Sequence, residues 1–252
     1  MSNLPPGVTK AAATGFDKLL SVQRPVVLAH LRSIRRRHPH ASPDQVIRIL
    51  ERRYLAAVTA GGAAVGASAA LPVVGVGASV ALSAAETGGF LEASALFAQS
   101  ITELHGIAID DPDRARTLVM TLILGSAGST LVKQFAGEVT GTAPARTAFW
   151  GELVTKSLPK AAVGRVADQL KKSFIRKFGV SQGASIVGRA IPFGIGAVIG
   201  GTGNHILGRQ IVRGSREAFG AAPPFFGANL DFVPTLTRAD RKALKQLERL
   251  EQ

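Results

Sequence analysis

The sequence of residues 188–208 is GRAIPFGIGAVIGGTGNHILG, in which glycine, proline or asparagine recurs at every fourth position. A shorter series of small residues begins at Gly62 and Gly66 and continues to Ala70. On a helix, residues four apart lie on one face, so small side chains at this spacing form a groove that another backbone can enter. Glycine costs a helix about 1 kcal/mol relative to alanine, so repeated glycines are expected where close packing recovers that loss. We therefore predict helix packing through Gly62, Gly66, Gly188, Pro192, Gly196, Gly200 and Asn204.

A flexible loop is the alternative for this stretch, and Pro192 and the segment 201–203 favour it.

The composition of the 252 residues excludes other classes of protein. Hydrophobic residues make up 46% of the chain, too many for a disordered protein. The sequence has no cysteine, which excludes disulfide frameworks, iron–sulfur clusters and thiol catalysis. The net charge of +13 indicates an anionic partner, either phospholipid or nucleic acid.

The charges are segregated along the chain. Residues 1–54 hold ten basic and three acidic residues, residues 133–189 hold the same numbers, and residues 86–113 hold six acidic residues and no basic one. In membrane proteins, flanking segments rich in Lys and Arg stay on the cytoplasmic side. This rule predicts that the two basic blocks share the cytoplasmic side and that the acidic block lies across the membrane or outside it. The blocks are separated by uncharged runs at 55–85, 117–132 and 190–208.

These uncharged runs are weak candidates for membrane spans. A span needs about 20 mainly apolar residues, but residues 55–71 are mostly Ala, Gly, Ser and Thr, and Pro72 interrupts any helix that follows. The other runs are short or contain Asn204 and His205. Three arrangements stay open: peripheral or shallow membrane association, a true span, and a soluble bundle rich in alanine and glycine.

Helix signals recur along the chain, whereas a sustained alternation of apolar and polar residues does not. The sequence therefore predicts an all-α fold, a helical bundle with tightly packed Ala/Gly-rich central hairpins and basic amphipathic helices. Residues 42–45 (Ser-Pro-Asp-Gln) form a capping box, and Asp111 before Pro112 repeats this start signal. His105, just before Gly106, is predicted to cap a helix end.

Further elements follow from spacing. Apolar residues between 90 and 104 recur at intervals of seven, four and three, which predicts a helix whose apolar face excludes Glu92 and Glu103. A similar stripe predicts a helix at 160–178. Residues 220–227 are predicted to form a loop whose aromatic side chains dock on the core, and Thr237 is predicted to start a last helix.

Two basic clusters predict contact with anionic lipid. The helix at 160–178 combines an apolar stripe with flanking lysines and arginines, which is typical of an interfacial helix, and an arginine cluster follows Val27 and Leu31 in the same way. Each Lys or Arg near an anionic surface contributes about 1 kcal/mol, although an ordinary solvated basic face is the alternative. The predicted lipid contacts are Arg32, Arg35, Arg36, Arg37, Lys171, Lys172, Arg176 and Lys177.

Other functions find less support in the sequence. Nucleic acid is disfavoured as a partner because no aromatic residue interleaves with the arginine cluster. Gly75–Gly77 and Gly194–Gly196 lack the spacing of a dinucleotide fingerprint, and no phosphate-loop or nucleophile-elbow motif is present. His38 and His40 have no nearby carboxylate. We therefore predict no catalytic, cofactor-binding or metal-binding residue and no cofactor.

A series of blocks lies in fixed order between residues 45 and 220: Gly61–Gly66, Leu71-Pro72, Phe90-Leu91, Glu103–Gly106, Asp110–Pro112 and residues 188–201, closing at Asn204. In this order the chain resembles the EcsC family. At the end of the block Glu103–Gly106, where that family usually has tyrosine and glycine, this chain has His105 and Gly106. The resemblance implies a bacterial, helical, membrane-associated protein, encoded in the namesake case beside an ABC transporter. It implies no catalytic residues.

These observations predict three regions: a basic N-terminal helical segment at 1–41, an EcsC-like helical domain at 42–220, and a Pro/aromatic loop with a C-terminal helix at 221–252. We expect a non-enzymatic accessory or assembly protein, linked to membrane transport, at the cytoplasmic face of the bacterial membrane. Its expected partners are anionic lipid and either a membrane protein or a second copy of the chain. The alternatives are a soluble cytoplasmic helical module that binds an apolar ligand or a protein, and a hydrolase with an unrecognised site.

Overall fold

The computed structural model describes residues 22–68, 76–140, 149–173 and 195–230, and 83% of the residues that it describes are helical. Those residues contain eight α-helices and no strand, which confirms the predicted all-α class. The helices are α1 Arg24–Arg37, α2 Pro43–Ser68, α3 Val76–Leu104, α4 Pro112–Leu124, α5 Ser126–Thr140, α6 Trp150–Glu152, α7 at residues 160–173 and α8 Ile195–Phe219. A π-helical turn, Leu153–Ser157, extends α6, and a 3₁₀ turn, Ala228–Leu230, follows α8.

The centre of the fold is an antiparallel pair formed by α2 and α8, the two most extensively packed elements. Helix α3 packs against both, and its contact with α2 includes Tyr54, which stacks on Phe97 with ring centroids 4.7 Å apart and hydrogen-bonds Ser94 at 2.9 Å. Burial raises the pKa of the Tyr54 hydroxyl. Helix α1 covers α3, and α4 packs on α3, α5 and α8. One continuous apolar core therefore runs from α1 to α8.

The helix starts lie where the sequence predicted them. At the start of α2, the backbone N–H of Ser42 donates to Gln45 Oε1 at 2.9 Å, and the backbone N–H of Gln45 donates to Ser42 Oγ at 3.3 Å. These reciprocal bonds confirm the capping box. At the start of α4, Asp111 Oδ1 accepts a bond from the backbone N–H of Asp113 at 2.9 Å, which confirms the second cap.

The end of α3 differs from its prediction. Backbone N–H groups close this end: Gly106 donates to the Glu103 carbonyl at 3.0 Å, and Ile107 donates to the Thr102 carbonyl at 2.9 Å. Gly106 has a φ of +71°, so the pair forms a Schellman motif for which glycine is suited. The His105 side chain, predicted to cap this end, instead stacks on Phe219 of α8, with ring centroids 5.3 Å apart.

The apolar face predicted for α3 is buried, but its predicted boundary is wrong at one position. Phe97, Ile101 and Leu104 are buried and Glu92 is exposed, as the spacing indicated. Glu103 was expected to lie outside the buried face, yet it is only 6% exposed. Helix α1 lies over it, and Arg24 Nε donates to its Oε1. A carboxylate can be buried here because this guanidinium neutralises it.

The same pair corrects the orientation predicted from the charge blocks. Arg24, from the N-terminal basic block, binds Glu103 and lies 3.4 Å from Asp110, both in the acidic block. Lys160, from the second basic block, lies 3.8 Å from Asp111. The acidic block therefore contacts both basic blocks and does not lie across a membrane from them. Within the described ranges, none of the helices combines the length and the apolar character that crossing a bilayer requires.

Other predicted elements are placed in part. Val163, Val166 and Leu170 of α7 are buried, as the stripe predicted, whereas residues 174–178 lie outside the described residues. The helix predicted to start at Thr237 also lies outside them. In the loop after α8, Phe226 packs against the core as predicted, whereas Phe225, which was predicted to dock there too, is exposed.

Two partly buried histidines make the stability of the fold depend on pH. Burial lowers the pKa of His105, against a smaller opposing effect of Glu152, and burial together with the charge of Arg53 lowers the pKa of His30. Each of these groups binds a proton more readily in the unfolded chain. Their contribution to stability is therefore present above the unfolded pKa and is lost as the pH falls.

We expect the free energy of unfolding to decrease between about pH 7.5 and pH 5.5, the range around the ordinary histidine pKa. His105→Phe keeps an aromatic ring against Phe219 and removes one titrating group, so its decrease is expected to be smaller. Urea unfolding at both pH values measures this difference. An unchanged pH dependence in His105→Phe would show that this imidazole is not responsible.

Candidate functional site

Helices α2 and α8 meet at a contact between the backbones of two glycines. A Cβ atom on Gly62 would lie 2.5 Å from the carbonyl oxygen of Gly200 and 2.9 Å from its carbonyl carbon. A Cβ atom on Gly200 would meet the carbonyl oxygen of Gly62 in the same way. Neither position has room for a methyl group unless the helices move apart. The recurrence of small residues at every fourth position thus predicted a role in helix packing for Gly62 and Gly200, which are in contact in the structure.

The remaining residues predicted for helix packing are distributed around this contact. The Cα of Gly66 would lie 3.6 Å from a Cβ on Gly200, and Gly196 lies in the first turn of α8. Gly188 and Pro192 lie outside the described residues. Gly208 extends the contact, because a Cβ there would lie 3.0 Å from the side chains of Leu55 and Val58. Gly62, Gly66, Gly200 and Gly208 therefore lie along one interface.

Asn204 adds a polar interaction to this interface. Its Nδ2 donates to the Val58 carbonyl of α2 at 3.2 Å and to Glu86 Oε1 of α3 at 3.2 Å. One amide therefore joins three helices. Beside it, His205 Nδ1 lies 3.0 Å from Thr59 Oγ1. The four-residue spacing predicted only that Asn204 belongs to the small-residue series, whereas its side-chain amide also donates hydrogen bonds to α2 and α3.

An ion pair lies further along the same two helices. Arg216 of α8 donates through Nε to Glu51 Oε1 at 2.8 Å and through Nη2 to Glu51 Oε2 at 2.6 Å. The hydrogen bonds and the charge of Glu51 raise the pKa of Arg216, although burial slightly opposes this. Glu51 is buried and Arg216 is largely exposed, so the arginine presents its outer edge to solvent. This pair was not predicted from the sequence, because its partners are 165 positions apart.

The predicted arginine cluster on α1 is divided by the fold. Arg32, Arg36 and Arg37 are exposed, in agreement with a surface role, but Arg35 is only 8% exposed. The guanidinium carbon of Arg35 lies 3.9 Å from the centre of the Phe226 ring, which covers it. Arg35 is therefore a residue of the packing between α1 and the loop and is not available for lipid contact.

This loop, residues 220–227, packs on α1 through Phe226 and also carries an exposed aromatic side chain. Its path starts at Gly220, with a φ of +73°, where a side chain would collide with the Phe149 ring. The loop is held on α1 by Phe226, and just beyond it Arg32 Nη2 donates to the Asn229 carbonyl at 3.4 Å. The neighbouring Phe225 is 81% exposed. We name Arg32, Arg36, Arg37 and Phe225 the α1 surface.

The second predicted lipid cluster is described only in part. Lys172 is exposed and Lys171 is half-buried on α7, while Arg176 and Lys177 lie outside the described residues. Arg165 is exposed on the same helix. Of the two predicted lipid clusters, the one on α1 is therefore the cluster whose arginines are all described.

The described residues contain no group of three histidine or acidic side chains close enough together to hold a metal ion. Comparisons of the chain with protein-family models, with curated proteins and with solved structures found no match.

The glycine contact predicts opposite effects for two substitutions in one helix. Gly200→Ala places a methyl group against the Gly62 carbonyl and is expected to lower the free energy of unfolding by about 2–3 kcal/mol. Gly203→Ala is the matched control, because a Cβ there meets nothing within 4 Å. It is expected to raise the free energy of unfolding by up to about 1 kcal/mol. Urea unfolding followed by circular dichroism measures both, and equal effects would contradict a backbone contact at Gly200.

Proposed function

We propose that this chain is a non-enzymatic helical protein that binds the cytoplasmic face of a bacterial membrane peripherally, through the α1 surface. The observation that carries the proposal is the position of Phe225, which is 81% exposed next to a helix with three exposed arginines. The proposed role is that of an accessory or assembly protein, which agrees with the resemblance to the EcsC family. Anionic lipid is the proposed partner.

The exposed phenylalanine supports an interfacial role. A large aromatic side chain gains free energy when it leaves water, so an exposed one is a candidate for insertion among lipid headgroups. Its neighbours hold it in position: Phe226 packs on the core, and the Asn229 carbonyl accepts a bond from Arg32. Because the loop is already ordered on α1, insertion of Phe225 costs little conformational entropy.

The charges around Phe225 favour an anionic surface. Arg36 and Arg37 form no ion pair with any carboxylate of the described residues, and Arg32 bonds only a backbone carbonyl there. Their positive charge is therefore not neutralised locally. Attraction to anionic lipid contributes about 1 kcal/mol for each such residue, and salt screens it.

We expect the full chain to co-sediment with vesicles of phosphatidylglycerol and phosphatidylcholine, and not with phosphatidylcholine alone. The double substitution Arg32→Gln and Arg36→Gln is expected to weaken this binding more than tenfold, since about 2 kcal/mol of attraction is lost. Phe225→Ser is expected to weaken binding about tenfold, because the inserted aromatic side chain is removed. High salt is expected to release the wild-type chain.

Ile206→Ser is the matched control for Phe225→Ser, because Ile206 is a second exposed apolar side chain, 61% exposed, on α8. It is expected to leave vesicle binding unchanged. Equal losses in both variants would show that exposed apolar area in general, and not the α1 surface, determines binding. Absence of binding to every vesicle would overturn the proposal and favour the soluble module that binds an apolar ligand or a protein.

A further inference from the structure

An open cleft of about 780 Å³ lies where the connection between α1 and α2 meets the far end of α8. The connection contributes residues 38–41, α2 contributes the face that carries Arg48 and Arg52, and α8 contributes Arg216. This volume is within the range of small-molecule sites. The cleft is separate from the α1 surface, whose arginines and Phe225 do not line it.

The walls of the cleft carry more positive than negative charge. Three arginines line it, and Glu51 is the one carboxylate among the lining residues. Glu51 is already bound by Arg216 through two hydrogen bonds. Arg48 is paired with Asp44, which does not line the cleft. Arg52 is exposed and forms no ion pair within the described residues, so its charge faces the cleft without a counter-charge.

Hydrogen-bond donors in the cleft exceed what Glu51 uses. A guanidinium has five N–H donors in a planar fork, and Arg216 uses Nε and Nη2 for Glu51. The Glu51 pair fixes the orientation of that fork, so the remaining N–H groups need little reorganisation to bind an anion. Gln45, His38 and His40 contribute further polar groups to the lining of the cleft.

We propose that this cleft binds a phosphate monoester group, carried either by a soluble compound or by an anionic lipid headgroup. A phosphate monoester offers three terminal oxygens with nearly two negative charges, and arginine forks bind such groups through paired hydrogen bonds. A carboxylate offers two oxygens and one charge and would leave part of this donor set unused. The lipid source rests on the proposed membrane function, whereas the soluble source does not.

The test measures binding of inorganic phosphate and of glycerol 3-phosphate to the full chain by isothermal titration calorimetry at matched ionic strength. It also compares vesicles that contain phosphatidic acid, a monoester, with vesicles of equal surface charge that contain phosphatidylglycerol, a diester. Arg52→Gln is expected to weaken phosphate binding about tenfold, because a charge-assisted hydrogen bond is lost. Arg165→Gln, an exposed arginine of α7, makes the same charge change away from the cleft and is expected to have no effect.

Binding of both solutes that is weakened by Arg52→Gln and not by Arg165→Gln supports the cleft with a soluble ligand. A preference for phosphatidic acid that Arg52→Gln alone abolishes supports the cleft with a lipid headgroup. The proposal that the cleft binds a phosphate monoester is overturned if no solute binds and both lipids bind equally. This outcome leaves the membrane proposal intact. Equal effects of the two substitutions also overturn the proposal for the cleft. Arg48→Gln repeats the test should thermal melting show that Arg52→Gln is unfolded.

Discussion

The contact between the backbones of Gly62 and Gly200 is the constraint on which the arrangement of the other helices depends. Because neither residue can carry a Cβ in this position, α2 and α8 approach more closely than helices with larger side chains can. This approach places Asn204 within hydrogen-bond distance of Val58 and Glu86, so that α3 is joined to the pair. The antiparallel register of the same two helices also sets Arg216 opposite Glu51. A shift of one helix turn would lose all of these contacts together.

The buried carboxylates show how a strongly basic chain divides its charges between interior and surface. Glu51 and Glu103 are both buried, and each is bound by an arginine from a distant part of the sequence. Such pairs contribute little net stability, but an unpaired carboxylate in either place would be costly, so they favour one arrangement of the helices. With these acids turned inward, the exposed arginines of α1 and of the cleft face solvent with an excess of positive charge. That excess is the physical basis of both proposed binding functions.

Much of the local structure was predictable, and the long-range pairs were not. The capping box at Ser42 and the cap at Asp111 depend on residues within a few positions, and both are present. The four-residue spacing also indicated the faces on which Gly62 and Gly200 lie, because a helix repeats at that interval. The burial of Glu103 and Arg35 was missed, since each is covered by a residue from a distant segment. Glu103 is bound by Arg24 of α1, 79 positions away, and Arg35 is covered by Phe226 of the loop after α8. The cleft was missed for the same reason, as Arg216 lies far along the chain from residues 38–52, which form its other walls.

A double-mutant cycle on Gly62 and Gly200 measures whether the backbones of these two residues are in direct contact. Gly62→Ala and Gly200→Ala are each expected to force α2 and α8 apart, after which the second substitution meets no new clash. If the two backbones are in direct contact, the double variant loses less stability than the sum of the single losses, with a coupling of about 1–3 kcal/mol in the free energy of unfolding. Single losses that add within about 0.5 kcal/mol would contradict direct contact between these backbones.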